Sequence, residues 1–166
     1  CSSDLSVVLS WTAPTNPTGL AYTVTGGGSV TVSGNSATVT GLTPNTSYSF
    51  SLYASNASGN GATTAAPAAR TLADAPTGLS VTARTATSLT LSWTAPASTT
   101  GVTYGVRGSA GAALPAGASA AVTGTTAVVS GLASNTSYVF SVVSTTTAGT
   151  SAPSADSAAS LTLPAA

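Results

Sequence analysis

The segment Leu89-Thr90-Leu91-Ser92-Trp93 alternates large apolar side chains with small hydroxyl ones. That is the period of a strand with one buried face. Leu5-Ser6-Val7-Val8-Leu9-Ser10-Trp11 carries a similar pattern near the start, and both segments run into Thr-Ala-Pro, where proline ends the pairing. Tyr22-Thr23-Val24 and Tyr104-Gly105-Val106 follow, each eleven residues beyond its tryptophan. Val30-Thr31-Val32 and Ala37-Thr38-Val39 flank Ser33-Gly34-Asn35-Ser36, which predicts a hairpin. Next comes Gly41-Leu42-Thr43-Pro44-Asn45-Thr46-Ser47-Tyr48-Ser49-Phe50-Ser51-Leu52, a turn leading into an alternating strand. A further strand is predicted around residues 63–72. No window sustains helical periodicity, so the pattern predicts an all-β chain.

The turn-and-strand segment recurs 90 residues later as Gly131-Leu132-Ala133-Ser134-Asn135-Thr136-Ser137-Tyr138-Val139-Phe140-Ser141-Val142. With 166 residues in all, a repeat of this length means two copies of one domain. We place domain 1 at residues 1–73 and domain 2 at residues 74–166. The junction Leu72-Ala73-Asp74-Ala75-Pro76-Thr77-Gly78 is short and carries proline, which predicts a semi-rigid join. Many short strands with turn signals between them indicate a β-sandwich in each half.

The Leu-x-Leu-x-Trp strand, the Tyr-x-Val strand and the Gly-Leu-x-x-x-Thr-x-Tyr corner, in that order and twice over, resemble the fibronectin type III domain. The resemblance implies two immunoglobulin-like β-sandwiches in tandem. It makes Trp11 and Trp93 the core tryptophans of the family's strand B, and Tyr22 and Tyr104 the tyrosines of strand C. It makes Leu42 with Tyr48, and Leu132 with Tyr138, the tyrosine corner between strands E and F. Asn56-Ala57-Ser58-Gly59 and Thr147-Ala148-Gly149 fall at the family's F–G turn.

Two departures from the family separate the copies. Tyr22 to Tyr48 spans 26 residues and Tyr104 to Tyr138 spans 34, so domain 2 carries eight extra residues within residues 108–123. That segment is small and uncharged, and reads as a surface loop rather than a binding loop. The second departure is at the start. Leu79-Ser80-Val81-Thr82-Ala83 supplies domain 2 with a first strand, whereas aligning Trp11 on Trp93 sets Cys1 opposite Ala83. Domain 1 is therefore expected to lack strand A, which leaves an edge open to strand addition from another copy. Leu161 and Leu163, in Ser160-Leu161-Thr162-Leu163-Pro164, are the candidate donor strand. The alternative makes them domain 2's own last strand, matching Leu72, and spacing does not decide between the two.

Composition narrows the chemistry. Lys, Glu, Gln, His, Ile and Met are absent, charged residues are 4% and the net charge is +0. Three arginines cannot neutralise a phosphate backbone or an anionic membrane surface, so neither nucleic acid nor a polybasic membrane contact is expected. The acids are Asp4, Asp74 and Asp156, with no pair placed as a dyad. No base is available to activate a serine, and no cofactor or metal site is expected. The chain is read as a non-enzyme.

Cys1 is the lone cysteine. It stands where a processed bacterial lipoprotein carries its lipid, which makes it a candidate lipidation site and the only expected membrane link. Asn45, Asn56 and Asn135 sit in Asn-x-Ser/Thr sequons, so glycans are candidate modifications. Arg107-Gly108-Ser109 is assigned no adhesive role. The leading expectation is a structural subunit of an extracellular filament, pilus-like fibre or surface layer, partnered with itself. The alternative is a non-catalytic spacer, or a carbohydrate- or adhesion-binding module, of a secreted or lipid-anchored surface protein.

Overall fold

The structure, a computed structural model, describes residues 5–15 and 18–165. The candidate lipidation site Cys1 lies outside the described residues. The chain forms two compact units, Cys1–Leu72 and Ala73–Ala166.

Domain 1 contains β1 (Val7–Ser10), β2 (Ala21–Thr25), β3 (Ser29–Ser33), β4 (Ser36–Thr40), β5 (Ser47–Tyr48), β6 (Ser51–Asn56), β7 (Gly59–Asn60), β8 (Thr64–Ala65) and β9 (Ala69–Arg70). One sheet has the order β1-β4-β3, the other β2-β6-β7 with β8 also on β6, and β5 pairs with β9. The predicted hairpin is β3–β4, with Ser33 opposite Ser36. Gly34 takes φ +55 at its first turn position, a conformation glycine adopts without strain. The two sheets enclose Val24, Ala37, Val39, Leu42 and Phe50.

Domain 2 contains β10 (Thr77–Arg84), β11 (Ser88–Thr94), β12 (Thr103–Gly108), β13 (Ser119–Thr123), β14 (Thr126–Ser130), β15 (Ser137–Tyr138), β16 (Phe140–Thr146), β17 (Gly149–Thr150) and β18 (Ser160–Leu161). Its sheets run β10-β11-β14-β13 and β12-β16-β17, with β15 paired to β18. Leu89, Leu91 and Trp93 of β11 meet Val106 of β12 and Phe140 and Val142 of β16 in one core. The alternation read in the sequence is the burial seen in β11, where Leu89, Leu91 and Trp93 are buried between partly exposed hydroxyl residues.

The extra residues of domain 2 fall between β12 and β13. Domain 1 makes the equivalent crossing from β2 to β3 with Gly26, Gly27 and Gly28. A Cβ on Gly26 would overlap the Ser49 carbonyl oxygen, and one on Gly28 the Thr40 carbonyl oxygen. The chain can cross there only as glycine. The longer crossing in domain 2 is a built segment rather than a free loop. Leu114 and Ala118 pack against the core, and a single 3-10 turn forms over Ser109–Gly111.

Residues 151–157 of domain 2 replace a regular strand with a serine ladder. The backbone N–H groups of Ser151, Ser154 and Ser157 donate to the carbonyls of Ser144, Val142 and Phe140, each at 2.8 Å. In return, the N–H groups of Ser144, Val142 and Phe140 donate to the three serine Oγ atoms at 3.0, 3.0 and 3.1 Å. Three residues of this segment therefore span two of β16, and a hydroxyl stands in for every second backbone acceptor. The β16 amides that face this segment, those of Phe140, Val142 and Ser144, are satisfied this way, as burial requires.

Leu161 and Leu163 are engaged within their own domain. Ser160 and Leu161 pair with Tyr138 and Ser137. The Leu163 carbonyl accepts from Asn135 N–H at 3.1 Å, and its own N–H donates to Thr85 O at 2.9 Å. In domain 1 the Leu72 carbonyl accepts from Asn45 N–H at 2.9 Å in the same way, so Leu163 is the counterpart of Leu72. The backbone groups that a donor strand would need are paired within domain 2, so donation would first require their release.

Candidate functional site

All nine aromatic side chains can be placed. Trp11 meets Tyr22 at 5.1 Å between ring centroids, and Trp93 meets Tyr104 at 5.5 Å in an edge-on arrangement. Tyr48 stacks with Phe50, and Tyr138 with Phe140, both at 6.1 Å. Only Tyr53, half-buried on β6, lies outside these pairs. The Trp11 and Trp93 indole nitrogens and the Tyr22 hydroxyl are buried without a hydrogen-bond partner. Burial raises the Tyr104 phenol above its ordinary pKa.

The corner tyrosines act as hydrogen-bond acceptors. Thr43 N–H donates to Tyr48 Oη at 2.9 Å, and Ala133 N–H donates to Tyr138 Oη at 3.0 Å. Hydrogen bonds from the Thr43 side chain and backbone hold the Tyr48 phenol below its ordinary value. Asn45 and Asn135 turn these corners at φ +51 and +49, which asparagine tolerates better than most residues.

A threonine beside each corner was not singled out from sequence. Thr71 Oγ1 accepts from Thr46 N–H at 3.0 Å and donates to Thr43 O at 2.6 Å. Thr162 Oγ1 does the same with Thr136 N–H at 3.0 Å and Ala133 O at 2.7 Å. The repeated Thr-Leu pairs, Thr71-Leu72 and Thr162-Leu163, were the available signal.

Asp156 was also missed. Its carboxylate accepts from Ser109 Oγ and, at 2.8 Å, from Ala110 N–H. Ser141 Oγ accepts from Gly111 N–H at 3.1 Å and donates to Gly108 O at 2.7 Å. The inserted turn is thereby clamped from two sides, which lets Ala110 sit at φ +53. Hydrogen bonds from Ser109 and then from Ala110 hold the Asp156 carboxyl below the usual carboxylate value.

The three sequons differ. Asn45 is buried, and its Oδ1 accepts from Arg70 Nε at 2.9 Å. A glycan would be attached through Asn45 Nδ2, and the burial of this side chain leaves little room for one. Asn56 and Asn135 are exposed. Asn56 Oδ1 accepts from Ser58 N–H at 2.9 Å, closing a tight turn.

The outer edge of β1 is open. A groove of about 310 Å³ runs beneath it, lined by Val8, Leu9, Trp11, Phe50, Leu52 and Pro67 among others. Among the described residues no strand pairs with β1 on the side away from β4. No group of three or more metal-ligating side chains occurs among the described residues. Among the described residues no helix is long and apolar enough to cross a membrane.

The sequence profile of the Fibronectin type III domain family matches residues 2–70 and again residues 74–160. The chain belongs to the fibronectin type III family. Chitinase A1 of Niallia circulans is 42% identical over 159 residues, covering 87% of this chain and 22% of that protein. The chain thus corresponds to less than a quarter of the length of the curated relative it matches. Crystallised titin domains align with TM-score 0.43 and 21% identity, covering 95% of this chain and 58% of theirs. The chicken CNTN1 FN1–FN3 domains align with TM-score 0.42 and 19% identity, covering 98% of this chain and 63% of theirs. For this tandem fibronectin type III chain, the aromatic residues singled out in the sequence are the framework of the fold. They do not converge on a site. The groove at β1 is the feature that framework leaves unfilled.

Proposed function

We propose that the chain is a non-catalytic tandem module of an extracellular protein, serving as a spacer beside a domain that acts on polysaccharide. The observation that carries this reading is the 42% identity to a stretch of Chitinase A1, set in a much longer protein. Two further points support it. Eight of the nine aromatic rings are committed to pairs within the two domains, so Tyr53 alone cannot build a stacking platform for sugar rings. The hydroxyl-rich, near-neutral composition provides neither a nucleophile–base pair nor a charged cleft.

The filament-subunit reading gains no support from this relative, and its donor residues Leu161 and Leu163 are paired at home. Sedimentation with insoluble chitin tests the spacer reading directly. The purified chain should remain in the supernatant at micromolar concentration. Retention on chitin would make it a binding module instead. Filaments in electron micrographs of the purified protein would revive the polymer reading.

A further inference from the structure

The two domains build the same hairpin end from different side chains. In domain 1, Asn56 stands opposite Gly59 and Ser55 opposite Asn60, and Gly61 N–H then donates to Ala54 O at 2.8 Å. In domain 2, Thr146 stands opposite Gly149 and Thr145 opposite Thr150, and Ser151 N–H donates to Ser144 O, also at 2.8 Å. Ser151 adds a hydroxyl that accepts the Ser144 N–H at 3.0 Å. Gly61 has no hydroxyl to offer Ala54, so its place on β6 is held by one bond fewer.

Asn60-Gly61 is the one Asn-Gly pair in the sequence. Both residues are exposed, and among the described residues no protein group hydrogen-bonds the Asn60 side chain. The other asparagines are less free to react with the amide that follows them. Asn45 and Asn135 precede β-branched threonines, whose N–H groups donate to Thr71 Oγ1 and Thr162 Oγ1 at 3.0 Å each. Asn56 precedes alanine, and its Oδ1 is tied to Ser58 N–H at 2.9 Å. Asn35 precedes serine, and Asn16 precedes proline, which has no N–H.

We propose that Asn60 is a modification site that deamidates without an enzyme, with water as the co-reactant. Gly61 N attacks Asn60 Cγ, unhindered by a Cβ on its own residue. A C–N bond forms, the Cγ–Nδ2 bond breaks, and ammonia leaves with the proton of the Gly61 amide. Water then opens the five-membered succinimide at either carbonyl, which leaves aspartate or isoaspartate. The attack requires Gly61 N–H to leave Ala54 O. That bond follows a two-residue strand at the end of its hairpin, where local opening costs least. One backbone bond of this kind slows the folded chain only about two- to tenfold against the unfolded one. The product places a carboxylate in domain 1, whose described residues contain no acid. The isoaspartate form also lengthens the backbone between residues 60 and 61, which takes Gly61 out of register with Ala54. The edge of the β2-β6-β7 sheet would thus record the age of the molecule as charge. This inference does not depend on the spacer reading.

Incubation of the purified chain at mildly alkaline pH tests it, read by isoelectric focusing and by fragment-ion mass spectrometry. A more acidic species should grow with time, carry the NH2-to-OH mass change on Asn60 and comigrate with Asn60→Asp. Isoaspartyl methyltransferase should label part of it. Unfolding in guanidinium chloride should speed the conversion by about two- to tenfold. Gly61→Ser installs the residue that domain 2 carries at this place, and should lose the conversion over the same incubation. If that variant fails to fold, Asn60→Thr, which copies Thr150, serves as the unreactive control. A folded chain that stays unconverted overturns the proposal, whether or not the unfolded chain converts. An acidic species whose mass change maps to another asparagine also overturns it, as does conversion of Gly61→Ser at the unsubstituted rate.

Discussion

Ser154→Ala and Ser144→Ala are the same chemical change at neighbouring places in domain 2, and the structure assigns them opposite signs. Ser154 Oγ accepts the Val142 N–H at 3.0 Å, and Val142 is fully buried. Removing the hydroxyl leaves a buried amide with no partner, at a cost of about 1–3 kcal/mol. The backbone bond from Ser154 N–H to Val142 O is untouched, so the segment has no reason to leave. Ser144 Oγ, in contrast, is buried and accepts nothing and donates to nothing. Alanine there removes an uncompensated polar group, so Ser144→Ala should be neutral or stabilising by up to roughly 1 kcal/mol. For a domain of this size each kcal/mol moves the midpoint by about 4–8 °C. Differential scanning calorimetry of the intact chain should therefore show the domain 2 transition falling for Ser154→Ala and holding or rising for Ser144→Ala, with domain 1 unmoved. Equal loss in the two variants would mean that side-chain volume, not the hydroxyl acceptor, sets stability here, and would refute the ladder argument.

Other outcomes follow from the same geometry. Thr162→Val keeps the shape but loses a buried acceptor for Thr136 N–H and a donor to Ala133 O, so urea denaturation should show a loss of about 1–3 kcal/mol in domain 2. Leu91→Ala should cost about 2–5 kcal/mol, while Leu9→Ala, at the half-covered matching position, should cost clearly less by the same denaturation. Asp156 has a folded-state pKa below its unfolded one, so its contribution is complete above the unfolded value and is lost as pH falls through the folded value. The Ala110 amide resonance should accordingly titrate with a midpoint below that of an ordinary aspartate, and Asp156→Asn should remove that titration.

The framework was legible in the sequence where a side chain does one job at one period. Leu89, Leu91 and Trp93 alternate because β11 has one buried face, and Tyr48 and Tyr138 repeat because each accepts a turn amide. The half-covered β1 was legible too, from setting Trp11 against Trp93. Other features escaped because their signal is not periodic hydrophobicity. Ser151, Ser154 and Ser157 recur every third residue in a segment that contains no aliphatic residue larger than alanine and proline, and a hydroxyl that replaces a carbonyl looks like any exposed serine. Leu161 and Leu163 were ambiguous because spacing counts residues, whereas the ladder consumes three residues for two. Asp156 lies 46 residues from the amide it clamps, a separation that no local pattern reports.

The end of domain 2 also has a mechanical meaning. Thr162 and Leu163 are held across the strand direction by Thr136, Asn135 and Thr85, with Thr162 Oγ1 adding its own bonds to Thr136 N–H and Ala133 O. Antiparallel bonds lie perpendicular to the strands they join. A pull along the final strand therefore loads these bonds together in shear instead of opening them one after another like a zip. If the chain serves as a spacer, tension leaving through the C-terminal strand is borne by bonds at Thr162 and Leu163, beside the corner that marks the fold.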